Sequence, residues 1–126
     1  MVIPENYKKV LNDFVAANDN RRITLFAVLK MDELIDKWSI VIAAEWITKE
    51  NRKTVFSSLI AALQKNLGAE ELTEVARASF YSTDEHLVQL FRETFNAGQH
   101  IREDARVNGN VIHEGYIIAL EKSQNE

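Results

Sequence analysis

Cysteine is absent from this chain of 126 residues, which removes disulfide staples, thiolate chemistry and cysteine-type zinc sites. Proline occurs once and glycine four times, too few for a collagen-like or low-complexity chain. No apolar run approaches the ~18 residues that mark a membrane-spanning helix. Met1 to Tyr7 lacks the basic stretch and apolar core of a secretory leader. The expectation is a cytoplasmic protein with no membrane partner. Positive charge is also in deficit, with 15 Lys and Arg against 19 Asp and Glu, a net charge of −4 and a pI near 5.4. A general nucleic-acid binder must neutralise phosphates with Lys and Arg on one surface, so this balance argues against that class.

Motifs with a known mechanism are missing too. No serine lies in a Gly-x-Ser-x-Gly elbow, and neither a P-loop nor a Gly-x-Gly-x-x-Gly turn occurs. The three histidines, His86, His100 and His113, have no metal-ligand spacing, so no metal or cofactor is expected.

What is present is periodicity. Tyr7, Val10, Leu11 and Phe14 recur at helical spacing behind Pro4, predicting a helix over 4–17 that ends in the turn-forming Asn18-Asp19-Asn20. Residues 23–31 are apolar and read as a strand. Trp38 to Ile47 is apolar on both alternating sides, the pattern of a strand covered on two faces. Thr48 is the expected N-cap of a helix whose stripe is Val55, Phe56, Leu59, Ile60 and Leu63, with Gly68 in the left-handed position after it. Val75 to Tyr81 predicts a strand. Ser82 and Glu85 have capping-box spacing before a helix carrying Leu87, Val88, Leu90, Phe91 and Phe95, closed by Gly98. Residues 100–122 predict a hairpin turned at Asn108-Gly109, and 123–126 a polar tail.

The predicted class is therefore α+β, in the order α-β-β-α-β-α-β-β. It implies a five-stranded mixed sheet, with two crossover helices on one face and the N-terminal helix elsewhere. That arrangement leaves the other face short of cover. Val41, Ala43 and Ile47 are therefore expected to form an interface, either with a protein partner or in a homodimer.

The last hairpin holds the candidate chemistry. With Asn108 and Gly109 as turn residues, Val107 faces Asn110, Ala105 faces Ile112, Asp104 faces His113 and Glu103 faces Glu114. Two opposed carboxylates repel, and such a pair divides acid and base roles when buried. His113 oriented by Asp104 adds an imidazole base. The plainer reading has these acids meeting Arg77, Arg102 or Arg106, or lying at an exposed margin, and it is preferred. Trp38 and Trp46 are read as core, and the basic pairs as solvated faces. The functional expectation is a small non-catalytic protein-interaction module: a regulator, an assembly factor, or an inhibitor of immunity type. The alternative is a small hydrolase or ligand sensor using Glu103, Glu114 and His113.

Overall fold

A computed structural model describes residues 3–31, 37–107 and 109–121. Residues 32–36, most of the connection expected over 32–37 between the first two strands, fall outside the described residues, as do the turn residue Asn108, the polar tail and the side chain of Pro4.

Helix α1 spans Ile3–Ala17 and buries Tyr7, Val10 and Phe14, the stripe the spacing predicts. It stops where Asp19 and Asn20 take φ values of 62° and 56°, a left-handed conformation that short polar side chains tolerate. Asn18 seals that end. Its Nδ2 donates to the Phe14 carbonyl at 2.8 Å and to Ser58 Oγ at 2.9 Å.

Strand β1 (Leu25–Met31) pairs antiparallel with β2 (Trp38–Ala43). All six residues of β2 are buried, as two-sided apolarity requires. The strand ends at Ala43, earlier than the apolar run suggests, because the chain then turns. Asn51 Nδ2 holds the Trp46 carbonyl at 2.7 Å and Asn51 Oδ1 accepts from the Thr48 backbone at 2.9 Å. That turn moves the N-cap from Thr48 to Asn51, and α2 runs over Arg52–Asn66. Gly68 is extended (φ −73°, ψ 170°), not left-handed, and serves as N-cap of the short α3 (Ala69–Thr73). Its amide donates to Glu71 Oε1 at 2.9 Å.

Strand β3 (Val75–Tyr81) then lies parallel to β2, so β2–α2–β3 is a crossover unit. Helix α4 (His86–Thr94) follows, entered through a Ser82 amide bond to Glu85 Oε2 at 2.6 Å. The hairpin is broken into β4 (His100–Ile101) and β5 (Ala105–Val107), both antiparallel to the long β6 (Asn110–Leu120). This break makes six strands where five were expected, in the order β3-β2-β1-β6-β4, with β5 also on β6.

The helices are distributed differently from the expectation. Helices α1 and α2 share one face, over a core that includes Phe26, Val28, Trp38, Ile40, Ile42 and Leu59. Helix α4 covers the other face, where Val88, Phe91 and Phe95 pack on Leu25, Ala27, Val41, Ala43 and Ile117. The cause is topological. Strand β3 ends at one edge of the sheet and β4 lies at the other, antiparallel to it. The second β-α-β passage is therefore not a parallel crossover. Its helix must traverse the sheet, and α4 does so on the face that α1 and α2 leave open.

Candidate functional site

The residues expected to form an interface are inside the protein. Val41 (5% exposed) and Ala43 (0%) sit beneath α4, and Ile47 (0%) belongs to the core under α1 and α2. The face assumed to be bare has α4 on it, so the premise for self-association through these three residues is not met.

The hairpin register is the predicted one near the turn, where Val107 faces Asn110 and Ala105 faces Ile112. Gly109 sits there at φ 80°, a conformation that favours glycine. The expected Asp104–His113 contact is also present, Nδ1 to Oδ1 at 2.9 Å, on an exposed carboxylate. Beyond that point the prediction fails. Ile101 faces Gly115 and Ala105 faces Ile112, so three residues on one strand oppose two on the other. Glu103 is in that bulge, exposed to solvent, and does not meet Glu114.

Glu114 faces the other way. On β6, Glu114 pairs with Lys30 but Ile112 pairs with Met31, so His113 is an extra residue and strict alternation is lost. A bulge of this kind sends the side chains before and after it to opposite faces. Ile112 therefore packs under α4, while Glu114 and Tyr116 lie on the α1 side. There Glu114 lies 4.0 Å from Lys30 Nζ and 3.5 Å from His100 Nε2.

These residues belong to a cluster that the sequence did not reveal. The His100 ring stacks on Tyr116 at 4.3 Å and 12°, and Tyr116 in turn leans on Trp38 at 5.9 Å. Lys30 Nζ lies 4.7 Å over Trp38. Arg102 Nε donates to His100 Nδ1 at 3.1 Å. His100 Nε2 is buried without a hydrogen-bond partner, and the nearby Glu114 carboxylate stands at ion-pair distance only. Burial, reinforced by the Glu114 charge and opposed by Arg102, raises the Tyr116 phenol above its ordinary pKa. Lys8, Gly98 and Ile118 complete a groove of about 390 Å³ over this cluster. The signal that would have revealed it is the parity of Trp38, Lys30, Glu114 and Tyr116, legible only once β6 is known to pair with β1.

A second feature lies at the opposite edge. Among the described residues, strand β3 bonds to β2 alone and has no strand on its other side. Every residue along it is half-buried except the exposed Ala76. Beside it stands Phe56, 43% exposed and the one large exposed hydrophobic among the described residues, with its ring 6.3 Å from Phe80. The sequence stripe had counted Phe56 as core. In the structure Val55, Leu59, Ala62 and Leu63 form the buried face of α2, and Phe56 is turned toward the edge.

The fold is thus an α+β sheet sandwiched between helices, with a polar-aromatic groove at one margin and an open strand at the other. No protein-family model matches the chain, and neither a curated protein nor a solved structure does.

Proposed function

We propose that this protein is a non-catalytic interaction module of the cytoplasm and that β3 is its contact surface, pairing with β3 of a second copy. The observation that carries the reading is the seven-residue open edge with Phe56 exposed beside it. Such an edge presents unpaired backbone donors and acceptors, and proteins usually blunt it with proline, lysine or a covering loop. Strand β3 contains neither proline nor lysine.

The occupant follows from the sequence of the strand. Its regular part, Arg77 to Tyr81, is self-complementary when run antiparallel about Ser79. Ala78 then falls opposite Phe80 of the second copy, a small residue against a large one. Arg77 falls opposite Tyr81, which puts the two Arg77 positions roughly 13 Å apart at about 3.3 Å per residue. That exceeds the Debye length of about 8 Å, so like charges do not oppose pairing.

The test is sedimentation of the purified chain. The expected result is a dimer fraction that rises between about 1 μM and about 500 μM and is lost in Phe56→Lys and Phe80→Lys, both checked for folding by circular dichroism. A monomer throughout, or dimers that both variants leave intact, would refute it. The hydrolase alternative draws its remaining support from the Asp104–His113 pair, since Glu103 and Glu114 lie apart.

A further inference from the structure

Strand β2 reads Trp-Ser-Ile-Val-Ile-Ala and is buried throughout, yet its second residue is a serine. Ser39 is 2% exposed and its Oγ has no hydrogen-bond partner. A buried hydroxyl left unpaired is costly, and native proteins rarely keep one without a use. Its neighbour across β1 is Leu29, whose side chain has no polar group to offer. The hydroxyl borders a cavity of about 180 Å³ between the sheet and α4, with apolar walls from Leu29, Val41, Phe91 and Ile112. Ser79 on β3 adds a second hydroxyl. Arg77 also borders the cavity but is already engaged by an interaction of its own, so the unanswered polar group of the site is Ser39.

A serine hydroxyl both donates and accepts, so it suits another hydroxyl. An ion taken out of water needs a counter-charge, and Ser39 supplies none. The matching ligand is therefore neutral. Water would answer the hydroxyl but would leave Leu29, Val41, Phe91 and Ile112 wetted, at a cost that grows with their area. A molecule with one hydroxyl on an apolar body satisfies both parts of the cavity. The sheet is also irregular here. Ala76 is an extra residue beside the Ser39–Arg77 pair, and His113 is another beside Met31 and Ile112. Bulges recur where a sheet re-aims side chains at a site.

We propose that this cavity binds a small uncharged molecule, a ring-sized apolar body carrying one hydroxyl, with that hydroxyl on Ser39 Oγ and the body against Phe91 and Leu29. The size agrees, since an apolar cavity of ~150 Å³ holds benzene. The observation behind this site is separate from the open edge, so the two readings stand or fall independently.

The experiment is a titration of the 15N-labelled full chain with phenol at fixed protein concentration, followed by amide shifts. Toluene, of the same shape, serves as the arm without a hydroxyl, and methanol as the arm without a ring. Phenol is expected to shift Ser39, Val41 and Phe91 saturably, with a Kd in the range of about 0.1–5 mM. Toluene covers Ser39 and leaves it unpaired, so it should bind the parent chain about tenfold more weakly than phenol. Methanol should give no saturable shifts over the same range. Ser39→Ala should abolish or reverse the preference for phenol over toluene. Its melting temperature without ligand should be equal to the parent's or higher, because it deletes an unpaired group. The proposal is overturned if phenol produces no saturable shifts around the cavity, which would leave water as its only occupant. It is equally overturned if toluene or methanol binds the parent chain as tightly as phenol, or if Ser39→Ala keeps the parent's preference.

Discussion

Gly115 offers a sharp test of how tightly β6 is fitted to β1. It lies opposite Leu29 and Ile101 in the sheet, on the α4 side. A Cβ added there would stand 2.6 Å from Leu29 Cδ2 and 3.1 Å from the Val28 carbonyl oxygen. The first contact is with the end of a side chain that is itself fully buried. The second is with backbone fixed in the ladder, which has little room to yield. Overpacking of this kind costs about 1–3 kcal/mol. Against it stands the lower chain entropy of alanine when unfolded, a gain of about 0.4–1 kcal/mol. Leu29 also borders the cavity under α4, so part of the strain can relax into that space. The net expectation for Gly115→Ala is a loss of about 1–2 kcal/mol, which in a domain of this size lowers Tm by about 3–12 °C. Urea denaturation and calorimetry on the parent and the variant measure it. A double variant locates the clash. Leu29→Ala alone should cost about 2–5 kcal/mol. If the strain runs through Leu29, the pair should cost less than the sum of the singles by about 0.5 kcal/mol or more. An unchanged Tm for Gly115→Ala, or strict additivity, would show that the close packing of β1 on β6 is misjudged.

Other perturbations reach different parts of the molecule. Asn18→Ala removes a buried amide that holds the end of α1 to Ser58 on α2, and chemical denaturation should show a loss of about 1–3 kcal/mol. Tyr7 is buried, and its phenol is pushed well above the ordinary tyrosine value, first by burial and then by Glu71 and Glu74. A raised folded-state pKa means that this stabilisation is intact below the unfolded value of about 10 and is lost as pH climbs toward the folded one. Thermal melts should therefore fall above about pH 10, and the fall should be shallower in Tyr7→Phe. Glu114→Ala should release the His100 ring from its place over Tyr116, read as a loss of the ring-current shift of the His100 protons, whereas Glu103→Ala should leave those protons unmoved.

The elements were legible because their causes are local. Val75 to Tyr81 matches its predicted strand residue for residue, and α1 starts one residue before its predicted start and ends where predicted. Helix α2 begins four residues after the predicted cap because Asn51, not Thr48, closes the turn after β2, and the two side chains compete on nearly equal terms. The distribution of helices over the faces was not legible. It depends on β3 and β4 lying at opposite edges, a fact about strand order that no local pattern encodes. From the sequence alone a second β-α-β passage implies another parallel crossover. Here it is a traverse, and the consequence is large, since it covers Val41 and Ala43.

The candidate site was hidden for a narrower reason. Side-chain alternation in a strand is a parity, and one extra residue reverses it for everything beyond. Strand β6 carries such a residue at His113 and another at Ile118, between Ala27–Ile117 and Phe26–Ala119. Reading 101–118 as one uninterrupted hairpin groups Glu103, Glu114, Ile112 and Tyr116 on a single face. The bulges instead divide them: Ile112 faces α4, Glu114 and Tyr116 face the α1 side, and Glu103 is left in solvent. The same irregularity brings Glu114 to Lys30 and His100 and lets Ile112 wall the cavity that Ser39 borders. Both sites thus depend on a defect in periodicity, and a method built on periodicity sees the elements around such a defect but not what it assembles.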